Sequence, residues 1–185
     1  MWCNGLDTDE IAVFGRQLTE DPGSGAIRLR TGTRWRHGYA VDAAEGAIEV
    51  AGAHFPRTPE VTSDRPAVFG GGDTGPAPGE LLLTALAACV TGQFIEHAAL
   101  RGCVVDELAV VCEGDLDARG VLAPAEVRPG LSAVRITLEV ATDDADEAAL
   151  EALLTEAVRT SPVADTLAAG VALTPGVRAT APEAA

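Results

Sequence analysis

The sequence has 185 residues, 47% of them apolar, and its 28 acidic and 13 basic residues give a net charge of −15. This composition fits a globular domain that is large enough to bury a core. The negative balance argues against general nucleic-acid binders and binders of anionic membranes, since both need a basic face, so we expect neither partner.

The first 25 residues predict a helical extension. The opening MWCNGLDTDE has neither the positive nor the apolar region of a secretory signal, so we expect a cytoplasmic protein. Asp7 and Glu10 have the spacing of a capping box, and apolar residues at helical spacing follow, which predicts a helix over residues 7–19. The turn-forming segment EDPGSG ends this helix.

Residues 26–41 alternate in a way that is typical of a strand. One face carries Ile27, Leu29, Thr31, Thr33 and Trp35, and the other carries Arg28, Arg30, Gly32, Arg34 and Arg36. We expect a bend near Gly32 or Gly38 and a second strand over roughly 46–55. The Pro- and Gly-rich segment that follows is long for a connection, and such loops are often functional.

The segment LLLTALAACVTGQF lies in a predicted helix that begins with Pro78 at its first position and runs to about Arg101, before Gly102. Its charge-free run, 81–95, is shorter than the ~20 residues that cross a bilayer. The helix is apolar nearly all round, so it must be covered on most sides. One sheet cannot do this easily, which suggests that a second subunit takes part.

The C-terminal part alternates strands and helices. Residues 104–116 and 133–141 predict antiparallel neighbouring strands. A capping box of Asp144 and Glu147 predicts a helix that runs to about Thr160. A shorter helix is expected next, with Ser161 as its N-cap, Pro162 at its first position and Gly170 at its end. A last strand is expected near 171–178. This order indicates an α+β domain with antiparallel sheet.

Cys89 is the first candidate for chemistry, although a cysteine in an apolar helix can equally be inert packing. It is too far from the helix N-terminus for the dipole to stabilise a thiolate, but Gln93 and Glu96 share its face. An arginine of the 28–36 stripe could supply a positive charge, and Arg36, just before a turn, is the best placed.

The other cysteines and the histidines point to no further site. The four cysteines are widely scattered, which favours reduced thiols, and no CxxC, HxxxH or HExxH spacing occurs. We therefore expect no metal and no organic cofactor. Cys103 is about 21 Å along the helix from Cys89, Cys112 is expected in the core, and Cys3 in a mobile terminus.

Several stretches together resemble the OsmC/Ohr family of osmotically inducible and organic hydroperoxide resistance proteins. These are GGGDTGPAPGELLLTALAACVTGQFIEHAALRG, DELAVVCEGDLDARGVL, VRPGLSAVRITLEV and RTSPVADTL. The resemblance covers roughly 26–178, with 1–25 as an extension typical of a longer branch and 179–185 as a disordered tail. It implies an OsmC-like fold, with antiparallel sheets wrapped around long central helices in an intertwined homodimer.

The resemblance also implies roles for single residues. Cys89 matches the thiol that attacks the hydroperoxide, and Arg36 matches the arginine that holds the anion. The family's resolving cysteine, in a Cys-Pro motif, is replaced here by Ser161. Its carboxylate position is occupied by Gly79, with Glu80 one residue later as the candidate.

Two functions remain open at this point. The first is a one-cysteine, thiol-dependent peroxidase that reduces organic hydroperoxides with an external thiol reductant. The second is a small-molecule-binding protein or repurposed enzyme that keeps the dimer-interface pocket without peroxidase chemistry.

Overall fold

The computed structural model describes residues 1–123 and 126–178. The strands are β1 (Trp2–Cys3), β2 (Leu6–Asp7), β3 (Ile27–His37), β4 (Ala40–Val50), β5 (Ala53–Arg57), β6 (Thr62–Ser63), β7 (Glu107–Asp115) and β8 (Ala133–Ala141). The α-helices are α1 (Thr8–Glu20), α2 (Pro78–Leu100), α3 (Arg119–Leu122), α4 (Glu147–Thr160) and α5 (Pro162–Ala169). Every strand pair in the described residues is antiparallel, which confirms the predicted α+β class.

The core of the molecule forms around one face of α2. Leu86, Val90 and Phe94 recur every fourth residue along this face and are buried. β7 and β8 pair without a register shift and pack alternate apolar side chains against them, which confirms that these strands are antiparallel neighbours. α4 closes the core with Leu153 and Ala157, and α5 packs beside it.

The bounds of α2 follow from its sequence. Pro78 occupies the first turn, and Gly102, just past the end, has a φ of +70° that favours glycine. By length and composition alone α2 could cross a membrane. Because one face forms the core with β7 and α4, we interpret it as a core helix.

The sheet of β3–β6 has an apolar face that the described chain does not cover. Leu29 pairs with Ile48 and Ile48 with Phe55, so these side chains form one row across three strands. Leu29 is 74% exposed and Phe55 51% exposed, and no residue of this sheet belongs to the core around α2. We call Ile27, Leu29, Ile48, Val50 and Phe55 the open sheet face.

The N-terminal hairpin of β1 and β2 is attached to the end of α2. The Asn4 side chain donates to the Cys103 carbonyl oxygen at 2.9 Å and accepts from the Val105 amide at 2.9 Å. Cys3 is buried beside them. The expectation that Cys3 lies in a mobile terminus is therefore wrong, because Asn4 ties this segment to the residues after α2.

The arginine-rich strand is shorter than predicted. β3 ends at His37, and a turn with Gly38 at φ +51° leads directly into β4, which then turns at Ala51 and Gly52 into β5. The predicted strands over 26–41 and 46–55 are thus three strands, because positive φ angles at the two turns reverse the chain.

Two further predictions near the C-terminus are wrong. α4 is capped by Asp146, whose carboxylate accepts from the Ala149 amide at 2.9 Å, because Asp144 instead accepts from the Val104 amide. Residues 171–178 form no strand in the structure, since no strand edge of the described chain pairs with them. The predicted tail, 179–185, lies outside the described residues.

Candidate functional site

Cys89 lies at the boundary between the buried and the exposed face of α2. Its side chain is half-buried, whereas the neighbouring stripe of Thr84, Ala85, Ala88 and Gly92 is exposed. These small residues leave the helix backbone open to close approach by another surface, and a Cβ added at Gly92 would meet open space. The thiol therefore borders a smooth, uncovered strip of the helix.

The other three cysteines are less accessible or differently placed. Cys3 and Cys103 are buried. Cys112 faces the core from β7, as predicted, and burial raises the pKa of its thiol. Cys89 is thus the cysteine on the uncovered side of the central helix.

Arg36 lies near the end of β3 and forms an ion pair with Asp42. Its Nε is 3.3 Å from the Asp42 carboxylate oxygen, and the side chain is partly exposed. The sheet that carries Arg36 does not contribute to the core around α2. The structure does not join Arg36 to Cys89 through a hydrogen bond within the described chain, so its catalytic role stays a prediction.

Glu80 caps the first turn of α2. Its Oε2 accepts a hydrogen bond from the Ala77 amide at 2.6 Å, and the side chain is exposed. Because Glu80 precedes Cys89 by nine residues at 100° each, the two residues point to opposite sides of the helix. One chain therefore does not bring Glu80 and Cys89 together, and the role of Glu80 also stays a prediction.

Ser161 is the fully buried N-cap of α5, which confirms its predicted structural role. Its hydroxyl oxygen accepts from the Ala164 amide at 3.2 Å, and Pro162 follows at the first helical position. The preceding Thr160 hydroxyl lies 2.9 Å from His97 Nε2 and so connects this corner to α2. A hydroxyl at this position cannot form a disulfide.

Asp64 organises the loop before α2, a function that the sequence did not reveal. Its buried carboxylate accepts from the Arg65 amide at 2.7 Å, from the Gly72 amide at 3.1 Å, and from the Thr74 amide and hydroxyl at 3.2 and 2.9 Å. These donors, led by the Arg65 amide, lower the pKa of Asp64. The glycine run in GGGDTG is the signal of this loop, since a Cβ at Gly71 would collide with the Arg65 carbonyl oxygen.

A cavity of about 650 Å³ opens between this loop, the start of α2 and the segment around α3. Its lining includes Arg65, Phe69, Leu82, Leu116, Val121 and Leu122, together with Pro78, Gly79 and Glu80. Cys89 is not among the lining residues. The Arg65 guanidinium lies 3.7 Å from the centre of the ring of Tyr39, a residue that does not line the cavity. Sequence reasoning missed this cavity because its walls come from distant segments.

The described residues contain no recognisable metal-binding site. Among residues 1–123 and 126–178, no three His, Cys, Asp or Glu side chains converge in a way that could hold a metal ion.

The chain matches the family model of OsmC-like proteins over residues 70–175, more than half of its length. It is similar to an OsmC-like protein from Mycoplasma pneumoniae, with 16% identity over 77% of this chain and 89% of that chain and a TM-score of 0.56. It is also similar to an organic hydroperoxide resistance protein, OsmC, from Legionella pneumophila, with 15% identity, coverage of 76% and 88% and a TM-score of 0.54. Comparison with curated proteins found no match. The fold is thus OsmC-like, and the chain belongs to the OsmC family, as its motifs predict.

Proposed function

We propose that this protein is a thiol-dependent peroxidase that reduces organic hydroperoxides, with Cys89 as the attacking thiol. The observation that carries the proposal is the position of Cys89, half-buried beside the uncovered strip of α2 while Cys3 and Cys103 are buried. The similar Legionella protein is described as an organic hydroperoxide resistance protein, which supports this reaction class.

The reaction balances with one hydroperoxide and two thiols. The Cys89 thiolate attacks one peroxide oxygen, the O–O bond breaks, and the leaving alkoxide takes up a proton, so that an alcohol and a sulfenic acid form. An external thiol then condenses with the sulfenic acid and releases water, and a second thiol exchanges with the mixed disulfide to restore Cys89. Two thiols are oxidised to a disulfide while the hydroperoxide is reduced.

The external reductant is proposed because Ser161 offers no second sulfur. Its hydroxyl serves as the α5 cap. Cys112 faces the core, and both Cys3 and Cys103 are buried, so none of them is an open resolving thiol. A reducing compartment supplies such thiols, in agreement with the cytoplasmic location that we propose.

We further propose that the working unit is a homodimer. The open sheet face and the strip of small residues on α2 are two apolar surfaces that one chain leaves uncovered, and a second copy of the chain would cover both. In such a dimer the sheet of one copy could bring Arg36 to the thiol of the other, where it would stabilise the thiolate and the leaving oxygen.

Glu80 is proposed to orient that arginine. Its Oε2 is used by the Ala77 amide, whereas Oε1 of this exposed carboxylate is left for a cation. The side chain points away from Cys89 of its own helix, so this role also requires the second copy.

The proposal is tested by the rate at which cumene hydroperoxide disappears in the presence of excess dithiothreitol. We expect turnover in the wild type and in Cys112→Ser, and no turnover above background in Cys89→Ser. Cys112→Ser is the matched control because it removes a thiol from the core side of β7. Equal rates in wild type and Cys89→Ser would contradict the proposal.

The alternative of a small-molecule-binding protein without peroxidase chemistry is favoured by the apolar cavity. Its size falls within the range of ligand sites in proteins. A ligand that stabilises wild type and Cys89→Ser equally, without any hydroperoxide turnover in either, would favour this alternative.

A further inference from the structure

We propose that Cys3 and Cys103 form a reversible disulfide that locks the N-terminal hairpin to the end of α2 when a small disulfide oxidises the pair. This modification does not rest on the peroxidase proposal, because Cys89 takes no part in it. It assigns a role to two buried thiols that the proposed peroxidase chemistry leaves unused.

The two cysteines are 100 positions apart in sequence but in contact in the fold. The Cys3 sulfur lies 3.6 Å from the carbonyl oxygen of Cys103, and both side chains are buried. A disulfide needs its two Cα atoms within roughly 7 Å of each other, and a sulfur that touches the backbone of its partner residue is compatible with this separation. The fold therefore supplies the encounter that oxidation needs.

Asn4 holds Cys3 and Cys103 side by side. Its side-chain amide donates to the Cys103 carbonyl oxygen and its side-chain oxygen accepts from the Val105 amide, each at 2.9 Å. The Cys103 sulfur has a weak contact, at 3.8 Å, with the hydroxyl oxygen of Thr142, and that hydroxyl already donates to a backbone carbonyl oxygen. Turning the Cys103 thiol from Thr142 toward Cys3 thus leaves no hydroxyl unpaired.

The oxidant is a low-molecular-weight disulfide such as oxidised glutathione. The Cys3 thiolate attacks one of its sulfurs, the S–S bond breaks, and one small thiol leaves with a proton. The Cys103 thiolate then attacks the mixed disulfide at the Cys3 sulfur and releases the second small thiol. One protein dithiol is oxidised to a disulfide, one small disulfide is reduced to two thiols, and the two protons come from the two cysteines.

Local opening of the hairpin gives the oxidant access to Cys3. β1 and β2 have two residues each, and strands this short are marginally stable by themselves. The neighbouring Met1 and Trp2 are largely exposed, and opening such a segment costs less than global unfolding. Cys3 is therefore the thiol that reacts first, whereas Cys103, in the core cluster around α2, reacts when the hairpin closes again.

The disulfide sets how firmly the hairpin and the following helix α1 are held. α1 has no buried residue, so its own packing contributes little to its attachment. In the reduced protein the hydrogen bonds of Asn4 hold the hairpin against the residues after α2. The disulfide adds a covalent bond that closes a long loop, which restricts the open and unfolded states. Oxidation thus turns a releasable N-terminal segment into a fixed one.

The test is peptide mass spectrometry of the full-length protein after incubation with oxidised glutathione. Free thiols are blocked, and the protein is digested without reductant at arginine and glutamate, so that Glu107 separates Cys103 from Cys112. We expect a peptide pair linked through Cys3 and Cys103, in protein that runs at the mass of one chain and loses the link in dithiothreitol. Absence of this pair, or a link from either cysteine to a different one, would overturn the proposal. The measurement needs no variant, so it does not depend on whether a mutant folds.

Hydrogen exchange tests what the disulfide does. Exchange at the hairpin amides should be at least about tenfold slower in the oxidised than in the reduced wild type, and Cys3→Ser should show no such difference. The matched control, Cys112→Ser, removes a half-buried thiol and should keep both the link and the slower exchange. Equal exchange in the oxidised and reduced wild type would contradict the locking role.

Cys89→Ser separates this proposal from the peroxidase proposal. The disulfide that the proposed peroxidase cycle produces belongs to the same class of oxidant, so both could operate in one molecule. With oxidised glutathione supplied, Cys89→Ser should form the Cys3–Cys103 link as fully as the wild type, although its hydroperoxide turnover should be lost. Loss of the link in a folded Cys89→Ser protein would contradict direct exchange at Cys3.

Discussion

The part of the molecule built on α2 encloses its own core, whereas the sheet of β3–β6 leaves several large apolar side chains, such as Leu29 and Phe55, more than half exposed. Phe94 on α2 is completely buried, but Phe55 on β5 remains 51% exposed. Both are phenylalanines in regular, well-paired elements, so the difference lies in what packs against them. The elements α2, β7, β8, α4 and α5 thus share a core within one chain, whereas the open sheet face has no cover among the described residues.

The comparison also bears on the site. Cys89 belongs to the part with a closed core, and Arg36 belongs to the sheet. If a second copy covers the open sheet face, the site needs both copies, and damage to the sheet should affect activity as well as assembly. The following substitutions test the two parts separately.

The largest effect is expected from a charge on the open sheet face. Phe55→Asp should raise the dimer dissociation constant by about a hundredfold or more, because each interface would bury unpaired carboxylates. Sedimentation velocity over a range of concentrations measures this shift. The control, His54→Gln, changes the preceding residue on the opposite face of β5 without placing a second carboxylate beside Glu49, and should leave assembly intact. Unchanged sedimentation of Phe55→Asp would show that this face is not an interface between copies.

The next effect concerns the closed core. Phe94→Ala should lower the free energy of unfolding by about 3–5 kcal/mol, because it deletes a buried ring and leaves a cavity among Leu86, Leu153 and Val90. The control Phe14→Ala removes an exposed ring from α1 and should cost within about 0.5 kcal/mol. Both are measured by chemical denaturation at one protein concentration. Similar losses in the two variants would contradict the assignment of the core to α2.

A smaller effect, with a pH dependence, is expected at Asp64. Its lowered pKa means that its carboxylate stabilises the fold above the unfolded pKa, near 3.9, and loses this contribution as the pH falls through the lower folded value. Asp64→Asn should therefore lower the melting temperature most at neutral pH, and the difference from wild type should shrink in acid. A difference that is constant between pH 7 and pH 2.5 would show that the charge of Asp64 is unimportant.

The smallest effect is expected at Ser161. Ser161→Ala removes the side-chain cap of α5 and should cost about 1 kcal/mol in the free energy of unfolding, while Ser161→Gly should cost a few tenths. Hydroperoxide turnover should persist in both variants, since this hydroxyl takes no part in the proposed chemistry. Loss of turnover in a folded Ser161→Ala protein would mean that the hydroxyl has a catalytic role.

Helices and strands were predicted correctly where local sequence signals, such as capping residues, Pro, Gly or strict alternation, mark them. Pro78 and Gly102 bracket α2, the alternation over 133–141 defines β8, and Ser161 with Pro162 starts α5. The N-cap of α4 could not be predicted this way, because Asp144 and Asp146 are both suitable capping residues. The structure uses Asp146 as the cap, since the Asp144 carboxylate accepts a hydrogen bond from the Val104 amide instead. The strand expected over 171–178 depended on a pairing partner that sequence does not specify.

Sequence motifs could name individual candidate residues of the site but not their positions relative to one another. Cys89 could be named from the A-A-C segment, but the positions of Arg36 and Glu80 depend on how the sheet and helix are brought together. Asp64 was missed because its role in the loop comes from contacts with Gly72 and Thr74, which a linear pattern does not show. Tertiary contacts of this kind have no local signature.

The most direct test of the central claim is to treat the reduced protein with one equivalent of cumene hydroperoxide in the presence of dimedone, which traps sulfenic acids. Peptide mass spectrometry then locates the adduct. We expect the label on Cys89, with Cys3, Cys103 and Cys112 unmodified, because Cys89 lies on the uncovered side of α2. An unmodified Cys89 after prolonged exposure, or a label confined to the other cysteines, would contradict its role as the peroxide-reducing thiol.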